Sequence, residues 1–331
     1  MTYSIIIPVY NRPDEIKELL ESLALQTFTD FEIIVVEDGS TETCDSIVGQ
    51  YKQSLSIKYY FKENSGPGAS RNFGVGKASG AFFIFLDSDC LLPPNYLDQI
   101  NQHLNKDGLQ AFGGPDKAHP SFTNIQKAIN YAMTSFFTTG GIRGGKKKLD
   151  KFQPRSFNMG ISRNVFETVG GFSSLHPGED PDLSYRIIKS GFKTGLISEG
   201  FVYHKRRIDF SKFYNQVHKF GIARTILMKW HPGSFKIVYA LPSIFLIVLF
   251  CLLGLSVYWG WMVLPVVSGG LILFIDALLK TKNLTVAILG VIASIIQITG
   301  YGSGFLIGIW HLHLLRKDEK SVFPNMFFNS N

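Results

Sequence analysis

Ala81-Phe82-Phe83-Ile84-Phe85-Leu86-Asp87-Ser88-Asp89 runs from six apolar residues straight into two carboxylates set one residue apart. A short continuous apolar run bounded by polar turn residues reads as a strand buried on both faces. Carboxylates leaving such a strand are costly unless they meet a cation or hydrogen-bond donors. A hard divalent metal bridging diphosphate oxygens would satisfy them, and so would an ordinary capped turn.

The residues upstream repeat the pattern. Residues 4–9 are Ile-rich and lead into Asn11-Arg12-Pro13-Asp14, after which Ile16, Leu19, Leu20 and Leu23 recur at helical spacing. Residues 31–36 form the next strand and end in Glu37-Asp38-Gly39-Ser40, and residues 57–61 follow. Ser65 and Pro67 then open a helix as cap and first-turn proline. Strands alternating with helices, with polar clusters at the strand ends, indicate an α/β sheet whose ligands lie beyond the carboxyl ends of the strands.

Composition separates this part from the rest. The 331 residues are 45% hydrophobic but only 18% charged, with 33 Lys and Arg against 26 Asp and Glu, a net charge of +7. The 28 Phe and 13 Tyr exclude disorder, and three dispersed cysteines (Cys44, Cys90, Cys251) give neither a disulfide framework nor a zinc spacing. The apolar excess lies late in the chain. Residues 237–275 carry no charge, about 39 residues or roughly 58 Å of helix, enough for two crossings of a hydrocarbon core of about 30 Å. Tyr258-Trp259-Gly260-Trp261 marks an interfacial turn between them. A second uncharged run, residues 283–315, contains Gly300, Gly302 and Gly304. It suits either one long tilted helix or a span followed by an interfacial helix. Nothing before Phe235 spans and no secretory signal is seen, so the preceding domain is expected on the cytoplasmic side, in agreement with Lys280 and Lys282. Arg316, Lys317 and Lys320 would prefer that side too, against a simple third span. Asp276 is read as the i,i+4 partner of Lys280.

Several motifs occur in order: Ile5-Ile6-Ile7-Pro8-Val9-Tyr10-Asn11, Val36-Glu37-Asp38-Gly39-Ser40, Gly66-Pro67-Gly68-Ala69-Ser70-Arg71-Asn72, Asp87-Ser88-Asp89, Asn158-Met159-Gly160, Gly170-Gly171-Phe172, and Gly178-Glu179-Asp180-Pro181-Asp182-Leu183 with Arg186. Over about residues 3–205 the chain resembles the family 2 glycosyltransferases of the GT-A fold, and its apolar helices resemble that family's membrane-associated branch. The resemblance implies a Rossmann-like, mostly parallel mixed sheet flanked by helices, followed by C-terminal transmembrane helices. The domains would be a GT-A catalytic domain over 1–208, an amphipathic interfacial region over 209–234 and a membrane domain over 235–331. Helices in the last are expected at about 237–258, 261–279 and 284–315.

Carried over residue by residue, the resemblance implies that Pro8 and Tyr10 line the base pocket and that Asp38 hydrogen-bonds the uracil or other base. Arg12 and Arg71 would bind near the nucleotide, Asp87 would contact ribose or sugar, and Asp89 would ligate Mg2+ or Mn2+. Glu179-Asp180 matches the motif of the catalytic base, with Asp180 the base itself. His204, before Lys205, Arg206 and Arg207, either joins the metal or is structural. Where the family often has two aspartates, this chain has Glu37-Asp38. The chemistry agrees: sugar transfer needs a neutralised leaving diphosphate and a base for the acceptor hydroxyl. Asp182 reads as a first-turn helix acid. The basic loop at 143–148 reads as solvated surface, with an acceptor lid or membrane contact as the sharper reading.

The expected activity is therefore that of a multi-pass, plasma- or inner-membrane-anchored inverting glycosyltransferase. It would use a nucleotide sugar, UDP-linked, and act on a hydroxyl of a lipid-linked or membrane-proximal acceptor in cell-surface glycan or glycolipid synthesis. No nucleic acid is implied, since the basic residues gather near the site or the apolar helices. The alternatives are a polyprenyl-phosphate sugar synthase, whose anionic nucleophile needs no base, and a non-catalytic membrane scaffold. Gln216-Val217-His218-Lys219-Phe220 is only faintly similar to the Q-x-x-R-W motif of processive synthases.

Overall fold

The computed structural model describes residues 2–139, 153–205 and 209–328. The elements run β1 (Tyr3–Val9), α1 (Pro13–Ala24), β2 (Phe31–Asp38), α2 (Asp45–Tyr51), β3 (Ile57–Lys62), α3 (Gly66–Lys77), β4 (Phe82–Leu86), β5 (Cys90–Leu91), α4 (Tyr96–Asp107), β6 (Ala111–Gly113), β7 (Asp116–Lys117), α5 (Asn124–Thr134) and α6 (Phe136–Thr139). They continue as β8 (Asn158–Ser162), α7 (Arg163–Val169), α8 (Glu179–Lys189), β9 (Thr194–Leu196), β10 (Val202–His204), α9 (Phe210–Trp230), α10 (Ile237–Ser256), α11 (Leu264–Thr281) and α12 (Leu284–Gly308). Two compact units result: residues 1–119, 150–204 and 327–331, and residues 120–149 with 205–326.

The first unit holds a seven-stranded sheet in the order β3-β2-β1-β4-β8-β6-β9. β3, β2, β1 and β4 are mutually parallel, whereas β8 runs antiparallel to both β4 and β6. Side chains alternate between the faces of a strand, and both faces are covered. Ile5, Ile7, Ile33, Val35, Ile84 and Leu86 pack with Leu19, Leu20 and Leu23 of α1 and Ile100 of α4. Ile6, Ile34, Val36, Phe83 and Phe85 pack on the opposite face with Val75 of α3, Phe166 of α7 and Ile187 of α8. Double coverage is why these strands read as unbroken apolar runs. Because β1, β2 and β4 are parallel, Tyr10, Asp38 and Asp87 all emerge at one edge. A smaller sheet, β5-β10-β7, brings His204 beside Cys90.

The start of α3 departs from expectation in its mechanism. Ser65 occupies the cap position, but its side chain caps nothing. Instead, the Asp38 carboxylate accepts the backbone N–H groups of Ser65 (3.0 Å) and Gly66 (2.9 Å). A carboxylate there also meets the positive end of the helix dipole.

Among the described residues of the second unit, three helices are long and apolar enough to cross a membrane by length and composition: Ile237–Ser256, Gly260–Thr281 and Leu284–Leu314. The last continues from α12 through a π-helical turn, Ile309–Leu314, so the second uncharged run forms one long helix. The glycine cluster explains its partner. Gly300, Gly304 and Gly308 lie against Val217, the His218 carbonyl and Thr225 of α9, while Gly221 of α9 lies against the Tyr301 carbonyl and the Phe305 N–H. Asp276 does pair with Lys280 (2.9 Å), and it also accepts from Tyr131 (2.7 Å) and Ser135 (3.0 Å), which ties α5 to α11.

Candidate active site

The site assembles at the carboxyl edge of β1, β2 and β4. Pro8 is half-buried at the end of β1 and Tyr10 is 52% exposed, an aromatic ring left facing solvent beside a polar edge. Asn11 follows in the left-handed region (φ 50°). Its side-chain oxygen accepts from Thr41 and Glu42 N–H groups, and its own N–H donates to Ser40, so it knits β1 to the loop after β2.

Glu37 and Asp38 face different tasks. Glu37 is fully buried and accepts from the Ser40 hydroxyl, the Cys44 N–H (2.8 Å) and Tyr59 (3.3 Å), which fixes the loop after β2. Asp38 turns to α3 and pairs with Lys62. A carboxylate offers about four acceptor positions, so Asp38 keeps acceptor capacity beyond its three donors. The Glu37 side chain thus serves the loop after β2, which leaves Asp38 to serve α3.

At the end of β4 the two aspartates separate. Asp87, 31% exposed, accepts from Arg71 (2.6 Å). Arg71 itself is 2% exposed and also holds Glu179 (3.0 Å), so it reaches its surroundings through these two carboxylates. Burial alone would raise the Glu179 carboxyl, but His176 (3.2 Å) and Arg71 outweigh it and hold it below the usual carboxylate range. Asp180, next in the chain at the start of α8, is partly exposed, with Arg155 3.7 Å away. Asp182, in the first turn of α8, pairs with Arg186 at i,i+4 (2.8 Å).

Asp89 lies between Arg12, an ion pair at one oxygen, and His204, whose Nε2 is 3.1 Å from the other. Burial would raise its carboxyl, yet His204 and Arg12 together hold it well below the usual range. Among the described residues, neither the buried Asp89 oxygen facing His204 nor His204 Nδ1 makes a hydrogen bond of good geometry. Phe157 stacks on the imidazole at 4.9 Å and fixes its plane. Ligand atoms of Asp89, Cys90 and His204 lie within 4.8 Å of one another. A hydrogen-bond-free carboxylate oxygen turned toward an imidazole nitrogen is a donor set that fits a divalent cation. Arg206, Arg207 and the 143–148 loop lie outside the described residues.

Sequence reasoning missed Arg155, His176, Lys62 and Phe157. Lys62 ends a strand directly beside Asp38 in register and was open to inference from pairing. The others lie in irregular segments that no periodicity marks.

A mostly parallel sheet with an antiparallel β8, bearing carboxylates at the ends of β2 and β4 and at the start of α8, defines a GT-A type glycosyltransferase. The chain belongs to glycosyl transferase family 2, whose family model matches residues 4–170. An uncharacterized glycosyltransferase of Rickettsia felis is 43% identical over 101 residues, 30% of this chain and 16% of that protein. The poly(ribitol-phosphate) beta-N-acetylglucosaminyltransferase TarS of Staphylococcus aureus is 41% identical over 111 residues, 32% of this chain and 18% of TarS. The chain thus spans only a minor part of the length of these curated relatives. Among solved structures, the mannosyltransferase PcManGT from Pyrobaculum calidifontis, in complex with GDP-Man and Mn2+, superposes with a TM-score of 0.55 at 16% identity. That match covers 96% of this chain and 88% of PcManGT, and it supports the fold.

Proposed function

We propose that this glycosyltransferase is membrane-anchored and inverting, moving a sugar from a nucleoside diphosphate, uridine diphosphate foremost, to a hydroxyl of a lipid-linked or membrane-proximal acceptor. The observation that carries the reading is the division of labour in Glu179-Asp180. Glu179 is buried and locked by Arg71 and His176, whereas Asp180 is left partly open at the start of α8. A base must reach the proton that it takes, which favours Asp180 over the locked Glu179. A hydroxyl acceptor needs such a base, which separates this reading from transfer to a polyprenyl phosphate.

Each remaining residue has a task in the same step. Tyr10 offers a ring face for the base, and Asp38 offers acceptor oxygens to its N–H groups. Arg71 orients Asp87 toward ribose or sugar, and Arg12 supplies positive charge beside Asp89 for the diphosphate. A divalent cation, Mg2+ or Mn2+, held by Asp89 and His204 would neutralise the leaving diphosphate. Asp180 accepts the proton of the acceptor hydroxyl as it attacks the anomeric carbon opposite the diphosphate, so the configuration inverts.

The catalytic domain (1–208) would face the cytoplasm, with residues 209–234 at the interface. The helical pair Ile237–Ser256 and Gly260–Thr281 would cross and return to anchor a multi-pass protein in the inner or plasma membrane, which leaves Phe327 and Phe328 on the side of the catalytic domain. The length and hydropathy of these two helices support the anchor. Purified in detergent, the full chain should hydrolyse or transfer from one member of a panel of UDP-, GDP- and TDP-sugars in the presence of Mn2+. Failure with every donor and with membrane extracts as acceptor would overturn the reading.

A further inference from the structure

The loop from Gly170 to Gly178 joins α7 to α8 and delivers Glu179 and Asp180 to the site. Three of its glycines adopt positive φ (Gly170, Gly171 and Gly178), so the loop has no regular structure to fix its path. Its first half is held from the catalytic unit. Asn72 clamps Phe172 through both its N–H and its carbonyl (2.8 Å each). Arg186 donates to the carbonyls of Val169, Gly170 and Gly171 (2.6 Å each).

The second half, which leads directly into the base, is met by another part of the chain. Phe327 forms an antiparallel bridge with Leu175, and the Phe328 N–H donates to the Ser174 carbonyl (3.0 Å). The Phe328 ring lies 5.9 Å from the His176 ring, and His176 in turn holds Glu179. On its other side the ring occupies the space over Gly66 so closely that any Cβ there would collide with it. Gly66 is the first residue of α3, and its N–H is one of the two that Asp38 accepts. Two positions on, Gly68 is approached by the Ser173 carbonyl in the same way. The segment 327–328 thus wedges the base-bearing half of the loop against the start of α3.

We infer that Phe328 is a positioning residue for catalysis: with Phe327 it holds residues 173–178 against α3 and so sets where Asp180 stands. The inference rests on the assignment of Asp180 as the base. A ring that positions the base acts on turnover, whereas a ring that walls the donor pocket would act on donor affinity.

The test compares the full chain with Phe328→Ala and Phe328→Leu. In Phe328→Ala, kcat should fall at least about tenfold, since small misplacement of a reacting group carries that scale of cost, while donor KM moves less than about twofold. Hydrogen exchange at the amides of residues 173–178 should quicken at least about tenfold as their local opening becomes easier. Phe328→Leu, which keeps apolar bulk over Gly66, should recover most of both. Unchanged exchange in that segment, or unchanged kcat, would overturn the inference, as would a rise in donor KM alone. If the wild-type chain turns over no donor, the functional reading fails, and the exchange measurement still decides whether Phe328 holds the loop.

Discussion

Arg71 and Glu179 form a buried ion pair, 3.0 Å between NH1 and Oε1, with side-chain exposures of 3% and 4%. The second guanidinium nitrogen reaches Asp87 at 2.6 Å, so one cation links the end of β4 to the start of α8. Removing one partner of a buried pair costs up to about 3–5 kcal/mol, and less here because Asp87 still compensates Arg71. Glu179→Ala should therefore lower the thermal midpoint in detergent by several degrees and reduce activity through misplacement of Asp87. A variant that keeps wild-type stability would show that the pair carries no structural load.

Asp180→Asn should behave differently. Asp180 lies at the start of α8 with Arg155 3.7 Å away, and the amide keeps its shape, so the change should cost less stability than Glu179→Ala. Loss of general-base assistance should lower kcat by about 10²–10⁴-fold with nucleotide binding retained. Comparing turnover with calorimetric nucleotide binding in this variant separates the base from its buried neighbour. Turnover within about twofold of wild type would remove Asp180 from the chemistry.

Asp89 and His204 should act together on the cation. Asp89→Ala and His204→Ala are each expected to weaken Mn2+ binding, read by paramagnetic resonance of the bound ion without any sugar transfer. Loss of a ligand or of its support typically costs on the order of 10–100-fold in affinity. His204→Ala also strips the ring from Phe157, so Phe157→Leu serves as the packing control and should bind Mn2+ nearly as the wild type does. Equal Mn2+ affinity in all three variants would place the ion elsewhere.

The parts legible in the sequence share a physical cause. β1, β2 and β4 were readable because both faces are buried and the residues that line them have nowhere polar to alternate with. Asp87 and Asp89 stood out because carboxylates ending an apolar run demand partners, whereas Asp180 was singled out only through the ordered motifs of the family. β6, β8 and β9 were not, since three to five residues carry too little periodicity and their pairing is long-range. The partnership of Arg71 with Glu179 spans 108 positions, and that of Phe328 with Ser174 crosses more than a hundred. No local pattern encodes either. The residues of α5 joined the second unit through Tyr131 and Ser135, which an α/β reading of the region could not foresee.

Glycines in the apolar helices should respond oppositely to the same change. Replacing a helix-interior glycine by a larger residue ordinarily stabilises by up to about 1 kcal/mol. Gly254 on α10 has open space around it, so Gly254→Leu should be neutral or stabilising. At Gly221 a Cβ would press on the Tyr301 carbonyl and sit 2.6 Å from the Phe305 nitrogen, both backbone atoms of α12. Gly221→Leu should force α9 away from α12 and lower the thermal midpoint in detergent. Matching midpoints for the two variants would show that α9 does not depend on this close approach.

Glu32 sets an acid limit on stability. Burial would raise its carboxyl, but Lys58 (2.8 Å), the Ser79 N–H and the hydroxyls of Ser4 and Ser79 outweigh this and bring it to about 2. A carboxyl depressed in the folded state stabilises fully above its unfolded value, near about 4.3, and that contribution is lost as pH falls through the folded value. Discounted for the solvent screening of the exposed Lys58, the shift corresponds to about 1–2 kcal/mol at neutral pH. Glu32→Gln should therefore lower the midpoint at pH 7, with the gap to wild type narrowing between about pH 4 and pH 2 as the native carboxylate protonates. Thermal unfolding in detergent across that range reads the gap directly. A gap that stays constant down to pH 2 would mean that Glu32 stabilises through shape and not through its charge.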